Sequence, residues 1–117
     1  MGRLTTHVLD TALGLPGAGI TVSVFRVEDS ERQLLRRVVT NQNGRCDEPL
    51  LEGAALTVGV YELIFNLAQY FAAGVHTLPN PPFVGDVVLR VGIADSSQHY
   101  HVPLLVSPWS YSTYRGS

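Results

Sequence analysis

Apolar and polar residues alternate in short runs along this chain, and clusters of Gly, Pro, Asn and Asp separate the runs. A period of two is typical of β-strands, because successive side chains of a strand point to opposite faces. The pattern predicts about seven strands and, around Leu50, a further short one. The seven lie near 4–9, 20–28, 34–40, 58–67, 83–93, 100–107 and 110–115. Strands at this spacing favour an all-β sandwich.

The segments between the strands carry turn and helix signals. The segment 14–17 is rich in Gly and Pro and predicts one turn. The segment 41–44 is rich in Asn and Gly and predicts another. Helix formers followed by a glycine predict one short helix over 67–74. The prolines at 79, 81 and 82 exclude regular structure until Phe83.

The strand near 100–107 is apolar on both faces. Tyr100 and Val102 lie on one face, whereas His101, Pro103 and Leu105 lie on the other. A sheet with one face in water does not need this second apolar face, and the chain has no helix to spare as a cover. We therefore expect another copy of the chain to cover it, with His101 at or near the interface. The alternative, that the C-terminal segment of the same chain covers this strand, stays open.

Length, charge and cysteine content narrow the class of protein. A chain of 117 residues fits a single domain over 1–117. Eight Lys and Arg against ten Asp and Glu offer no basic field, so nucleic acid is not an expected partner. No apolar run approaches a membrane span, and neither a signal peptide nor a peroxisomal signal is visible, so we expect a cytoplasmic protein. The single Cys46 excludes an intrachain disulfide and fits a reducing compartment.

The candidate chemistry rests on four histidines, His7, His76, His99 and His101, and on Arg45. Motifs of serine hydrolases, zinc proteases, P-loops and dinucleotide sites are absent from the sequence. His99 and His101 share a strand face, but a pair without a third ligand is weak evidence for a metal, so no metal or cofactor is expected. Imidazoles that titrate near neutral pH, together with a guanidinium, can hydrolyse a polarised carbonyl with water as the nucleophile. His7 joins this set only if its strand neighbours that of His101.

Four segments of the chain resemble the signature segments of the 5-hydroxyisourate hydrolases, a transthyretin-related family. They are His7-Val8-Leu9-Asp10, Asn43-Gly44-Arg45, 99–105 and Tyr111-Ser112-Thr113-Tyr114-Arg115-Gly116-Ser117. The resemblance covers the whole chain. It implies a transthyretin-like (prealbumin-like) antiparallel β-sandwich of about seven to eight strands with one short helix. It also implies a homotetramer, a dimer of dimers, with sites at the dimer–dimer interface where His7, Arg45, His101 and Ser117 converge.

The resemblance further implies a reaction, the hydrolysis of 5-hydroxyisourate to 2-oxo-4-hydroxy-4-carboxy-5-ureidoimidazoline in urate degradation, without a metal or cofactor. His101 is the predicted general base, and His7 is predicted to orient the water or to protonate the leaving nitrogen, although the sequence leaves the two histidines interchangeable. Arg45 is predicted to bind carbonyls and to stabilise the oxyanion. Ser117 is expected to line the site, and Tyr114 is included among the substrate-binding residues although it also anchors the tail.

Two other functions remain as alternatives. A transthyretin-like carrier could hold a small hydrophobic ligand between subunits without turnover, and it would not need the His7, Arg45 and His101 set. A metal-binding module could use His99, His101 and His7, although no carboxylate or thiolate lies beside them in the sequence.

Overall fold

The computed structural model describes residues 1–74 and 77–116, which form two β-sheets packed face to face. Helix α1 spans Leu67–Ala72, and one turn of 3-10 helix spans Gly53–Ala55. The strands are β1 (Arg3–Asp10), β2 (Leu15–Pro16), β3 (Thr21–Glu28), β4 (Glu31–Val39), β5 (Leu51–Glu52), β6 (Gly59–Phe65), β7 (Val87–Ile93), β8 (His99–Val106) and β9 (Tyr111–Thr113).

The two sheets differ in how far apart along the chain their strands lie. One sheet has the order β4-β3-β6-β7, and all of its pairs are antiparallel. The other has the order β2-β1-β8-β9, with β5 paired to β1. In this second sheet β1 and β8 run parallel, whereas the other pairs are antiparallel. Parallel neighbours need a long crossover, and here the whole first sheet and α1 lie between them in sequence.

The core lies between the sheets and is made mainly of residues of β1, β3, β6, β7 and β8. On β1 the buried side chains include Leu4 and Val8, and on β6 they include Leu63 and Phe65. The predicted core face of β8 is confirmed, because four of its side chains are buried: Tyr100, Val102, Leu104 and Val106. The opposite face of β1 and β8 is therefore the surface on which the predicted site residues project.

Asp10, the last residue of β1, holds the following turn and helix α1 through its side chain. Asp10 is buried, and its carboxylate accepts hydrogen bonds from the backbone N–H groups of Ala12 and Leu13 and, at 2.8 Å, from the hydroxyl of Tyr70 on α1. Burial and the Asp10 carboxylate raise the pKa of Tyr70 to about 12. The helix is thereby tied to the end of the strand that carries His7.

The predicted all-β sandwich with one short helix is confirmed, and several boundaries differ from the prediction. The turn predicted at 14–17 contains the two-residue strand β2, which pairs with the end of β1. Strand β7 begins at Val87 rather than at Phe83, because its partner β6 ends at Phe65, the residue that pairs with Val87. Strand β4 begins at Glu31, three residues earlier than predicted, because a tight turn at Asp29 lets pairing start at once.

Strand β9 is shorter than predicted and ends at Thr113. The reason is that Arg115 turns back to β8, where its guanidinium donates to the side-chain oxygen of Gln98 and the carbonyl of His99 and lies over the ring of Tyr100. The C-terminal segment thus lies against β8 after the ladder has ended. Among the described residues, no helix is long and apolar enough to cross a bilayer.

Candidate active site

His7 and His101 meet on the outer face of the sheet that contains β1 and β8. The parallel register places Thr5 opposite His101 and His7 opposite Pro103. Because side chains alternate along both strands, these four residues share one face. The ring centroids of His7 and His101 are 6.5 Å apart, with the rings tilted by 35°. The condition that the sequence left open, that the two strands be neighbours, is met.

Arg45 reaches this face because a tight turn docks on β1. The side-chain oxygen of Asn41 accepts the backbone N–H groups of Asn43 at 2.9 Å and Arg45 at 3.2 Å, as expected of an asparagine that caps its own turn. The turn is joined to the strand by the N–H of Val8, which donates to the carbonyl of Gly44 at 2.8 Å. An isolated antiparallel bridge then places Arg45 opposite His7.

The docking of this turn depends on a glycine. Gly44 is buried and has φ +75°, and a Cβ at this position would lie 2.4 Å from the carbonyl oxygen of Val8. Glycine therefore satisfies two requirements here, the left-handed backbone and the close approach to β1.

The electrostatics of the site favour neutral imidazoles. Partial burial, followed by the charge of Arg45, lowers the pKa of His7, and a backbone hydrogen bond with Asn43 acts in the opposite direction. Partial burial, followed by the charges of Arg45 and His7, lowers the pKa of His101. Both rings are therefore mainly neutral near pH 7, the form that can accept a proton. Arg45 is exposed, and within residues 1–74 and 77–116 no carboxylate forms an ion pair with it.

The C-terminal segment lies against His101. The N–H of Gly116 donates to the carbonyl of His101 at 2.7 Å, and a Cβ on Gly116 would lie 2.8 Å from Cδ2 of that ring. Ser117, which was predicted to line the site, lies outside the described residues, as does His76. The predicted convergence of Ser117 with the other three residues therefore stays a prediction.

Tyr114 does not join the histidines in the described chain. It lines a cavity of about 500 Å³ together with Tyr100 and Val102, which lie on the core side of β8. His101 projects on the opposite face of that strand. The substrate-binding role of Tyr114 thus remains a prediction that the geometry of this chain does not support.

Thr5 is a site residue that the sequence did not reveal. Its side-chain oxygen lies 2.8 Å from Nδ1 of His101. Alternation along β1 already placed Thr5 on the face of His7, but only the register with β8 puts its hydroxyl against the second histidine. Thr5 and Arg45 also line a cavity of about 250 Å³ that extends to the half-buried Cys46, whose pKa is raised by burial.

The outer face of β8 is only partly open in a single chain. Pro103 is buried and Leu105 is half-buried, next to the half-buried Leu9 of β1. The argument from Pro103 for a covering subunit is thus weakened, since this residue is already covered by its own chain. Across the described ranges, no three His, Cys, Asp or Glu side chains form a group that could hold a metal ion, and His99 is exposed.

The chain is similar to known proteins in sequence and in fold. The family model described as HIUase/Transthyretin matches residues 4–116. A curated protein of Ralstonia nicotianae named 5-hydroxyisourate hydrolase is 57% identical over 117 residues, which is all of both chains. The structure of Klebsiella pneumoniae 5-hydroxyisourate hydrolase superimposes with a TM-score of 0.83 at 32% identity, over all of both chains. The crystal structure of an (S)-allantoin synthase superimposes with a TM-score of 0.94 at 45% identity, but this chain, 99% of which is matched, spans only 44% of that one.

The glycine of the turn can be tested by comparing two alanine variants. Gly19 and Gly44 both have positive φ, but a Cβ on Gly19 meets nothing within 4 Å. Gly19→Ala should lower the free energy of unfolding by about 1–2 kcal/mol through backbone strain alone. Gly44→Ala should cost about 1–3 kcal/mol more, because the added carbon clashes with Val8. Denaturant unfolding measures both losses, and equal losses would contradict the close approach.

The electrostatic effect of Arg45 can be tested by NMR titration of the two histidines. In Arg45→Gln the pKa values of His7 and His101 should both rise, because the positive charge that disfavours the imidazolium is gone. Arg37→Gln is a matched control, since Arg37 lies on the other sheet and bonds to Ser23. Unchanged pKa values in Arg45→Gln would show that its charge does not act on these rings.

Proposed function

Because the chain belongs to the HIUase/Transthyretin family, we propose that it hydrolyses 5-hydroxyisourate, the product of urate oxidation, to 2-oxo-4-hydroxy-4-carboxy-5-ureidoimidazoline. The observation that carries the proposal is the meeting of His7, His101 and Arg45 on one sheet face. The name of the Ralstonia nicotianae relative specifies the substrate and the reaction class. The reaction adds water to a ring carbonyl carbon and then breaks the bond from that carbon to the ring nitrogen.

The first step needs a group that removes a proton from water. His101 is the proposed general base, because its lowered pKa keeps the imidazole neutral near pH 7. Once the water has lost this proton, its oxygen attacks the carbonyl carbon and a tetrahedral oxyanion forms. General bases of this kind contribute about 10² to 10⁴ in rate.

Arg45 is the proposed partner of that oxyanion. A guanidinium is charged at all working pH values and presents several N–H donors in one plane, which suits both the carbonyls of the heterocycle and the negative charge that develops. The turn built by Asn41 and Gly44 holds the backbone of Arg45 against β1, so rearrangement on substrate binding is confined to its side chain. Electrostatic stabilisation is most effective when the donors need no rearrangement during the reaction.

The second step needs a proton on the leaving nitrogen. The ring centroids of His7 and His101 are 6.5 Å apart, so both imidazoles can act on one small substrate. We assign His7 to orienting the water or protonating the nitrogen. Ser117 and Tyr114 are proposed to contact the substrate, and Tyr114 could do so only from another subunit or after a rearrangement of the tail.

A homotetramer arranged as a dimer of dimers, with the sites at the dimer–dimer interface, is part of the proposal. Its support is the half-buried pair Leu9 and Leu105, which continues the face of the histidines as an apolar strip.

We also propose that 1–117 form a single domain and that the protein works in the cytoplasm, where its one thiol, Cys46, would stay reduced. Neither a metal nor a cofactor is assigned a role.

The activity is tested by adding the protein to freshly oxidised urate and following the loss of 5-hydroxyisourate by its absorbance. The wild-type protein should speed this decay above the spontaneous rate. His101→Asn should slow the catalysed reaction by about 10² to 10⁴, and Arg45→Lys by about 10² or more, because an ammonium cannot replace a planar fork of donors.

His99→Asn is the matched control, because His99 is exposed and two residues from His101 on the same strand. It should keep wild-type activity, whereas a metal site built on His99 and His101 would lose activity in both variants. Saturable binding of 5-hydroxyisourate or an analogue by wild-type protein that leaves the decay rate unchanged would favour the carrier alternative and reject the hydrolase.

The assembly is tested by sedimentation or light scattering. The wild-type protein should have the mass of four chains of 12.7 kDa each. Leu105→Glu should reduce that mass to two chains, because it places a charge in the apolar strip, while Val39→Glu, on an exposed position of β4, should leave it unchanged. A monomer in the wild-type sample would end the assembly proposal without affecting the chemistry assigned to one chain.

A further inference from the structure

The imidazole of His101 is held on two of its edges by segments that lie far apart in the chain. On one edge, the side-chain oxygen of Thr5 lies 2.8 Å from Nδ1. On the other, Gly116 lies so close to Cδ2 that a Cβ would come within 2.8 Å of it. The N–H of Gly116 also bonds to the carbonyl of His101 at 2.7 Å, which fixes the backbone of the tail beside the ring.

These two contacts leave the Nε2 end of the ring for chemistry. The hydroxyl of Thr5 occupies Nδ1, and within the described part of the chain no hydrogen bond engages Nε2. A neutral imidazole carries its proton on one nitrogen and its lone pair on the other, so the partner of Nδ1 decides what Nε2 can do.

We propose that Thr5 is a positioning residue for the proposed hydrolysis: its hydroxyl oxygen accepts the Nδ1–H of His101 and thereby presents the lone pair of Nε2 to the attacking water. This inference rests on the proposed function and adds to it the atom that moves the proton. The water proton goes to Nε2, the resulting imidazolium keeps Nδ1–H on Thr5, and the proton on Nε2 is later returned to the leaving nitrogen directly or through His7. Thr5 itself gains and loses no proton.

A hydroxyl suits this position better than the carboxylate found in Ser-His-Asp triads. A carboxylate beside Nδ1 would favour the imidazolium and raise the pKa of the ring. Among the described residues, the charged and titratable groups that act on the pKa of His101 are Arg45 from the docked turn and His7 from β1, and both favour the neutral ring. Thr5 adds orientation without adding a charge that would oppose them.

The test compares two substitutions at Thr5. Thr5→Val keeps the shape and β-branching of the side chain but removes the hydroxyl, and Thr5→Ser keeps the hydroxyl. Thr5→Val should lower kcat about five- to tenfold, the factor expected for one neutral hydrogen bond, with KM little changed. Thr5→Ser should restore most of kcat. Wild-type kcat in Thr5→Val, or equal losses in both variants, would overturn the proposal.

A second measurement separates orientation from a general loss of structure. The ¹⁵N chemical shifts of His101 above its pKa should report the Nδ1–H tautomer in the wild-type protein and a mixture or the Nε2–H tautomer in Thr5→Val. Thr11→Val is the matched control, because its hydroxyl binds the carbonyl of Val106 at the far end of the same strand pair, and it should change neither kcat nor the His101 tautomer. Identical His101 tautomers in wild type and Thr5→Val would also overturn the proposal.

The two proposals fail in different ways. If the wild-type protein does not speed the decay of 5-hydroxyisourate, the proposed function fails, while the ¹⁵N shifts still report whether Thr5 holds the ring. If the wild-type protein is active and the shifts are insensitive to Thr5→Val, the hydrolase stands and Thr5 has no positioning role.

Discussion

The site depends on the parallel pairing of β1 with β8, which brings together residues 96 positions apart in the chain. A shift of one residue in this register would turn every outer side chain of one strand toward the core. The register is held by the buried alternation on the core side, where Leu4 and Val8 face the same interior as Val102 and Leu104. The buried hydroxyl of Thr6 adds to it by donating to the carbonyl of Val102 at 2.6 Å. Packing of the core thus sets the geometry of the surface behind it.

The guanidinium of the site is carried by a turn, whereas the two imidazoles are carried by neighbouring strands. Arg45 lies on a turn that docks on β1 through backbone contacts of Gly44 and His7. Its charge lowers the pKa of both rings, so the residue proposed to stabilise the oxyanion also keeps the proposed base neutral. One side chain therefore couples the two halves of the proposed chemistry, and a neutral replacement should disturb both.

The C-terminal segment packs against the site beside His101. Arg115 holds it to β8 through Gln98 and His99, and Gly116 then packs on His101 without a side chain between them. The tail thus restrains a catalytic candidate by contact with its ring. Because the contact needs a residue without Cβ, a side chain at the half-buried Gly116 would force the His101 ring to shift.

The sequence by itself determined the all-β class, the short helix, the two-sided apolar strand and the residues His7, Arg45 and His101. It could do so because alternation, turn residues and signature segments are local properties. It missed the strand β2, the late start of β7 and the contact of Thr5 with His101, since each depends on which segment lies alongside. It also left open whether another subunit or the chain itself covers Pro103, a residue that the chain already buries. Only the tertiary structure decided that β1 lies parallel to β8 and in which register, because strand pairing is a long-range choice made by the core as a whole, and no local pattern encodes it.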